Sequence, residues 1–273
     1  DSVSVETQEE IRSALKAWME KDPGFLDSLA GAENITIKEK ATAILNDDTI
    51  STEIEPLHKN FPLMDRAIHR SDDYLLALSM YSERIQNTEI MNDENLYGWH
   101  QGSGMTYLYN GDTEQYTTNF WNTVNPLRLS GTTLVSKNIG NGNPDGTGFI
   151  QGGDFRSTES WVGGSSIGLN GINGMSVSGK ISTQAGDPSL TYSDNFQAKK
   201  SWFMFGDEIL CLGAGITNSG EDHNVETIVE NRHLSSEGNE NFQINGEIVN
   251  LPTQEANVKD IVEGTVDVSG QTM

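Results

Sequence analysis

The chain has 273 residues, a formal net charge of −23 and a single cysteine, Cys211. So acidic a surface repels nucleic-acid phosphates. The lone cysteine excludes an intrachain disulfide or a CxxC metal cluster, and no apolar run approaches the ~20 residues that cross a bilayer as a helix. With 35% hydrophobic residues, 28 glycines and only 7 prolines, the composition suits a large core with many turns, as one all-β domain or two modest domains. No signal peptide opens the chain; its start at Asp1 is that expected of a mature or cleaved fragment.

The first fifty residues read as helices. Thr7 and Glu10 have capping-box spacing, and Ile11, Leu15 and Trp18 follow at i, i+4, i+7 on one face. Pro23 and Gly24 stop that helix. Thr36 and Glu39 repeat the spacing, Ile37, Ala41, Ile44 and Leu45 supply the next stripe, and Asn46–Asp48 end it. Beyond about residue 52 the pattern changes to short β-rich runs: Tyr74–Tyr81, Met105–Tyr109, Trp202–Phe205 and Ile209–Leu212. Gly206-Asp207 between the last two is a hairpin signal. Val225, Thr227 and Val229 alternate with Glu226, Ile228 and Glu230, as in a half-exposed strand. The segment 138–153 is Gly/Asn-rich and reads as a loop. Helices followed by strands predict separate α and β regions, divided as 1–51 and 52–273, with the border near Ser51–Pro56.

The densest polar cluster runs from Arg84 to Asn95, between the run Tyr74–Tyr81 and Gly98-Trp99-His100. Such a loop can bind sugar hydroxyls, orient an arginine, hold a cation, or serve as an ordinary Asn/Asp turn. Glu89 and Glu94 are close enough in sequence to reach the roughly 5–10 Å separation of a glycosidase pair, but nothing marks one as acid and the other as base. The five histidines show no HExxH or clustered ligand spacing, so no metal site is assigned. GxSxG and P-loop motifs are absent. Gly140 to Asn143 and Asp145-Gly146 offer oxygens for a structural calcium without EF-hand spacing. Trp99, Tyr107, Tyr109, Tyr116, Phe120 and Trp121 serve equally as a core or as stacking faces for sugars.

Several stretches resemble the central β-domain of polysaccharide lyase family 8: MNDENLYGWHQGSGMTYLYNGD (Met91 to Asp112), YTTNFWNTVNPLRLSGTT (Tyr116 to Thr133) and AKKSWFMFGDEILCLGAGI (Ala198 to Ile216). MDRAIHR (Met64 to Arg70) resembles the start of that domain, and VETIVENR (Val225 to Arg232) a later strand. The family comprises hyaluronate, chondroitin AC and xanthan lyases. The resemblance implies an α+β multidomain architecture, the end of an α/α-toroid followed by a large antiparallel β-sandwich, here incomplete at its C-terminus.

It further implies β-elimination next to a uronate. A donor binds the carboxylate and acidifies the C5 proton; a tyrosine helped by a histidine moves protons, and arginines support the site. No metal or organic cofactor is required. The family's Asn, His–Tyr and arginine motifs lie in the toroid and are not found in this sequence. His100 and Tyr107 have the residue types but fall in the sandwich. What carries over is a supporting pair, Glu89 orienting an arginine or histidine and Asn92 bonding substrate or the tyrosine's surroundings. Arg84, Asn95, Trp99 and His100 are candidate substrate contacts. The implied partners are an anionic polysaccharide and the N-terminal α-domain of the same enzyme, in a protein secreted by a bacterium. An acidic body repels an anionic polymer, which counts against such a substrate, although a cleft can be locally positive on an acidic body. The resemblance implies hyaluronan or chondroitin as substrate, since MNDEN followed by GW resembles hyaluronate lyases more than xanthan lyases; KKSWFMFGDEI also resembles xanthan lyases. The remaining alternatives are a noncatalytic carbohydrate-binding sandwich and a purely structural domain.

Overall fold

The computed structural model describes residues 3–22, 24–29, 35–53, 55–87, 95, 97–111, 115–117, 119–136, 156–182, 193–219, 223–233, 242–244 and 247–249. The predicted loop 138–153 lies outside them.

Helix α1 (Val5–Lys21) is capped by Ser4, whose Oγ accepts from the Thr7 amide at 3.2 Å. The cap is therefore one turn earlier than the Thr7–Glu10 spacing suggests, because Ser4 already offers the β-region backbone and short hydroxyl a cap needs. Thr36 likewise falls inside α3 (Ile35–Leu45), not before it. Between them, α2 (Phe25–Ser28) is one short turn after Pro23, its Phe25 ring 4.7 Å from that of Trp18. The face expected to be buried is not: Ile11 and Trp18 are 47% and 52% exposed, and α1 buries Lys16, Ala17 and Met19. Lys16 is drawn inward because its ammonium donates to the Asp47 and Ile50 carbonyls (2.8 and 3.3 Å) in the link after α3.

Strands β1 (Leu57–Phe61), β2 (Arg66–Arg70), β3 (Leu75–Ser79) and β4 (Met105–Tyr109) form one antiparallel sheet in that order. A second contains β6 (Arg156–Ser157), β7 (Val162–Ile167), β8 (Asn170–Ser182), β9 (Ser193–Phe205) and β10 (Glu208–Asn218), in the order β10-β9-β8-β6 with β7 also on β8. Between these sheets in sequence come β5 (Thr133–Val135) and the four-residue α4 (Phe120–Thr123); β11 (Val225–Thr227) pairs with β5, and β12 (Phe242–Ile244) with β13 (Glu247–Val249). Every pairing is antiparallel. Of the expected architecture, the described residues show the antiparallel β-sandwich. The predicted run Val225 to Val229 shortens to β11, whereas Trp202–Phe205 and Ile209–Leu212 lengthen into the 13-residue β9 and 11-residue β10. Gly206, with φ +55°, makes the turn between them as the Gly-Asp signal indicates.

Period-two alternation sends Ala67, Leu76 and Leu78 of the first sheet and Met175, Val177, Phe196, Ala198, Trp202 and Met204 of the second into one core. Each large side chain buried there contributes about 1.5–3 kcal/mol. Polar ties fix how the sheets meet. Asn173 Nδ2 donates to Asn60 Oδ1 at 2.6 Å, and His69 Nε2 (2.7 Å) and the Tyr74 hydroxyl (3.0 Å) both donate to the Gly206 carbonyl. Lys200 is buried against Trp202 and donates to the Gly131 carbonyl; burial pushes its ammonium down to about 8.

Gly104, at φ +83°, immediately precedes β4, where an added Cβ would stand 3.0 Å from the Trp202 ring. Gly104→Ala combines a left-handed backbone with pressure on the largest core side chain. It should cost more than about 1 kcal/mol, read as a lower urea midpoint at unchanged slope.

Candidate functional site

The β3–β4 connection carries the polar cluster, and a buried carboxylate is its foundation. Asp65 is 2% exposed, in the β1–β2 turn with φ +50°. Its Oδ2 accepts from the Ser82 hydroxyl at 2.5 Å, its Oδ1 from Arg84 Nη2 at 2.8 Å, and its carbonyl from the Met80 amide at 3.0 Å. Arg66 Nη1 donates to the Met64, Asp65 and Met80 carbonyls. Turn and connection are thus locked together before the chain reaches residue 88.

On the far side, Asn95 adopts φ +57°, its carbonyl accepts from the Gly98 amide at 3.1 Å, and its side-chain amide exchanges hydrogen bonds with Gln101 at 3.3 Å. Asn tolerates this left-handed geometry better than most residues. The Gly102 amide donates to the Asn87 carbonyl at 3.1 Å, closing the loop's base. Glu89 and Asn92 lie outside the described residues.

The structure brings Arg84, Asn95, Trp99 and His100 into one connection but gives them different surroundings. Arg84 is half-exposed and already paired with Asp65. Asn95 is exposed and shapes a turn. Trp99 and His100, 3% and 8% exposed, lie beneath the surface, their ring centroids 6.4 Å apart. The aromatic at the surface is Tyr97, 54% exposed, edge-on to Trp99 at 5.3 Å. Sequence reading passed over Tyr97; no local signal separates it from Trp99, since which of the two is buried depends on the fold of the whole connection.

Burial holds the His100 imidazole neutral, pushing its pKa down to about 4. Its Nδ1 is 3.5 Å from Ser103 Oγ. Asn87 Oδ1, Trp99 Nε1 and His100 Nε2 are buried without a hydrogen-bond partner among the described residues, a concentration of such groups in one loop. Among the described residues no group of three or more His, Cys, Asp or Glu side chains is placed to hold a metal.

The other aromatics divide in the same way. Tyr116 and Phe120 are buried with Met105 and Leu129 on the outer face of the first sheet, while Trp121 is 41% exposed beside Tyr107. The Leu108 amide donates to the Tyr116 hydroxyl at 2.9 Å, and Arg232 Nη2 donates to the Leu108 carbonyl at 3.2 Å, so the free side of β4 is closed by side chains. Arg128 grips Glu226 with two bonds (2.8 and 2.9 Å), which lowers the Glu226 carboxyl and raises the guanidinium.

Together these elements define an antiparallel sandwich domain with a polar loop pinned at one end of its first sheet. Residues 56–262 match the family model described as polysaccharide lyase family 8, super-sandwich domain, and the chain belongs to that family. It is 35% identical over 250 residues to a hyaluronate lyase of Thermasporomyces composti, covering 89% of this chain and 29% of the relative. The solved xanthan lyase of Paenibacillus aligns with a TM-score of 0.71 at 36% identity, over 91% of this chain and 22% of that one. The Streptomyces coelicolor A3 chondroitin AC lyase, solved with chondroitin sulphate, gives a TM-score of 0.68 at 31% identity, over 85% and 29%. This chain therefore spans less than a third of the length of these relatives.

The two ends of the ion pair should respond unequally. Asp65→Ala strands a buried hydroxyl and a guanidinium and should cost about 2–4 kcal/mol in a urea titration. Arg84→Ala leaves the buried carboxylate with Ser82 as its side-chain partner and should cost about 1–3 kcal/mol, less than Asp65→Ala because water can enter where the half-exposed guanidinium stood. For His100 the folded pKa lies below the unfolded value, so the unfolded state takes up protons first and stability falls as pH drops from 6.5 towards about 4. A His100→Gln variant should lose melting temperature less steeply over that window; parallel curves would exclude His100 as the source.

Proposed function

We propose that this chain is the sandwich portion of a polysaccharide lyase that cleaves uronic-acid-containing polymers, hyaluronan or chondroitin, by β-elimination to unsaturated uronate products. The observation that carries the reading is the family match over residues 56–262, which includes the loop whose Met91–Asp112 sequence the resemblance rests on. In this reading residues 1–51 are the last helices of the α/α-toroid and 52–273 the sandwich, and an N-terminal α-domain supplies the Asn, His, Tyr and Arg of the reaction. Secretion from a bacterium, an anionic substrate and chemistry without a required cofactor belong to the same proposal, as does a structural calcium in the segment 140–146.

The chemistry places demands on this chain that its residues suit. Removing a C5 proton builds negative charge beside a carboxylate, so the groups that stabilise it need fixed positions. Glu89 and Asn92 project, in this proposal, towards the helical domain. There a carboxylate keeps an arginine or histidine charged and correctly aimed, and an amide bonds substrate. Asp65, Ser82 and Arg84 hold one end of their loop and Asn95 the other. Trp99 and His100 form the buried underside, and Tyr97 is the aromatic face open to a sugar ring. A second reading, a xanthan lyase acting on side chains, is favoured by the TM-score of 0.71 to the Paenibacillus enzyme.

The test is the ultraviolet absorbance of unsaturated uronate on hyaluronan, chondroitin sulfate and xanthan in parallel. The 273-residue chain alone should release none, and an enzyme extended by its helical domain should act on one of them. In the extended enzyme Glu89→Ala should lower kcat by up to about 10²-fold, below the 10²–10⁴ of a proton-transfer group, with an unchanged melting temperature. Asn92→Ala should lower it less. Unchanged kcat in both variants would leave the loop a solvated turn, and binding without product from the extended enzyme would make the domain a carbohydrate-binding module.

A further inference from the structure

The two faces of the second sheet differ sharply in composition. Register places Lys200, Trp202 and Met204 inward, and Lys199, Ser201 and Phe203 on the outer face. At the β7 end of that outer face is Trp161. Its backbone is fixed by the Ser176 amide, which donates to the Trp161 carbonyl at 2.8 Å, yet the residue is 52% exposed. The six-membered edge of its ring lies over Gly174: a Cβ there would fall 2.8 Å from Cη2. Only a residue without a side chain lets the indole occupy that place on the sheet. Lys199 Nζ is 5.7 Å from the ring centroid, and no ion pair of Lys199 occurs among the described residues. Beside it on the same face are Gln197, exposed, and Ser201.

We propose that Trp161 and Lys199, seated on Gly174, form a second carbohydrate-binding site on the outer face of the sandwich that takes a stretch of anionic polysaccharide. The chemistry of each group selects the ligand. An exposed indole offers a flat apolar face to the C–H face of a pyranose. An ammonium beside it meets the carboxylate or sulfate of an acidic sugar. The hydroxyl and amide of Ser201 and Gln197 suit sugar hydroxyls. On a chain of net charge −23, a cation with no carboxylate partner among the described residues is where an anionic polymer meets least repulsion. Further along the face, Ile172, Phe203 and Leu210 form an apolar cross-strand row, which suits a protein surface better than a sugar; the proposal is confined to the Trp161 end. It rests on the reading of the protein as one that handles anionic polysaccharides, and it adds a site separate from the β3–β4 loop.

The experiment is native electrophoresis of the full chain through gels containing hyaluronan, chondroitin sulfate or xanthan, with neutral dextran as control, beside an ultracentrifugation run without polymer. The wild type should be retarded by at least one anionic polymer and not by dextran, and should sediment as a monomer. Trp161→Ala should weaken retention roughly three- to tenfold, Lys199→Gln roughly two- to fivefold, and added salt should weaken it in the wild type more than in Lys199→Gln. Gly174→Ala, which displaces the ring while leaving both side chains present, should weaken retention as Trp161→Ala does; Trp161→Tyr should largely keep it and guards against a folding defect. Wild-type mobility unaffected by every anionic polymer, equal retention of Trp161→Ala, equal retardation by dextran, or self-association abolished by Trp161→Ala would each overturn the site. The two proposals fail separately. An extended enzyme with lyase activity whose chain is not retarded through Trp161 ends this one alone. Retention through Trp161 without lyase activity at any length ends only the other.

Discussion

The carboxylate of Asp65 is the point on which the first sheet and its loop depend. A buried charge is tolerated only when its lone pairs are met, and here a hydroxyl and a guanidinium meet them, one on each oxygen. The geometry extends the β2–β3 pairing, which ends with Arg66 opposite Ser79, by tying the β1–β2 turn to the chain as it leaves β3. Arg66 reinforces the joint by gathering three carbonyls from both parts. A loop that starts from so fixed a base can be long and polar and still present its residues in one direction. Side chains held by their own supporting bonds lose less entropy when a ligand arrives.

The second sheet supplies what the first leans on. Trp202 is fully buried, touches the start of β4 at Gly104, and lies under the Lys200 ammonium. Lys200 in turn reaches the Gly131 carbonyl, next to Ser130, whose own carbonyl accepts from the Thr106 amide. The β3–β4 loop, the 115–132 segment and the second sheet therefore meet around one aromatic ring. A site assembled from two domains, as proposed, needs such rigidity, because small displacements between its parts cost large factors in rate.

Much of this was legible in the residues. Alternation and Gly/Asn punctuation located β3, β4, β9, β10 and the Gly206-Asp207 turn, because strand period and turn chemistry are local properties. The helix start was misplaced by one turn because two hydroxyl residues, Ser4 and Thr7, compete for the cap and only backbone geometry decides between them. The apolar stripe Ile11, Leu15, Trp18 has helical spacing, but spacing does not state what lies opposite. In this chain the tie between Lys16 and the link after α3 sets the orientation. Within the candidate loop, the polar cluster was visible as composition. Its division into buried Trp99 and His100 and exposed Tyr97 was not, and neither was Asp65. That residue's role comes from contact with Ser82 and Arg84, 17 and 19 positions away. Trp161 and Lys199 are 38 positions apart and meet only through the β8–β9 register.

Strand β10 borders the second sheet, and almost all of its eleven residues are exposed, with Leu210, Leu212 and Ile216 each more than 40% accessible. A long, apolar border that pairs with no further strand among the described residues is a template on which another extended chain can add itself. The surplus of carboxylates holds such neighbours apart electrostatically, acting as a colloidal guard for that border. That guard weakens as the acids are neutralised near the sequence isoelectric point of about 4.4. Acidification and concentrated salt thus threaten the dispersion of this chain in solution by the same route, through a border whose own hydrogen-bonding capacity they leave unaltered.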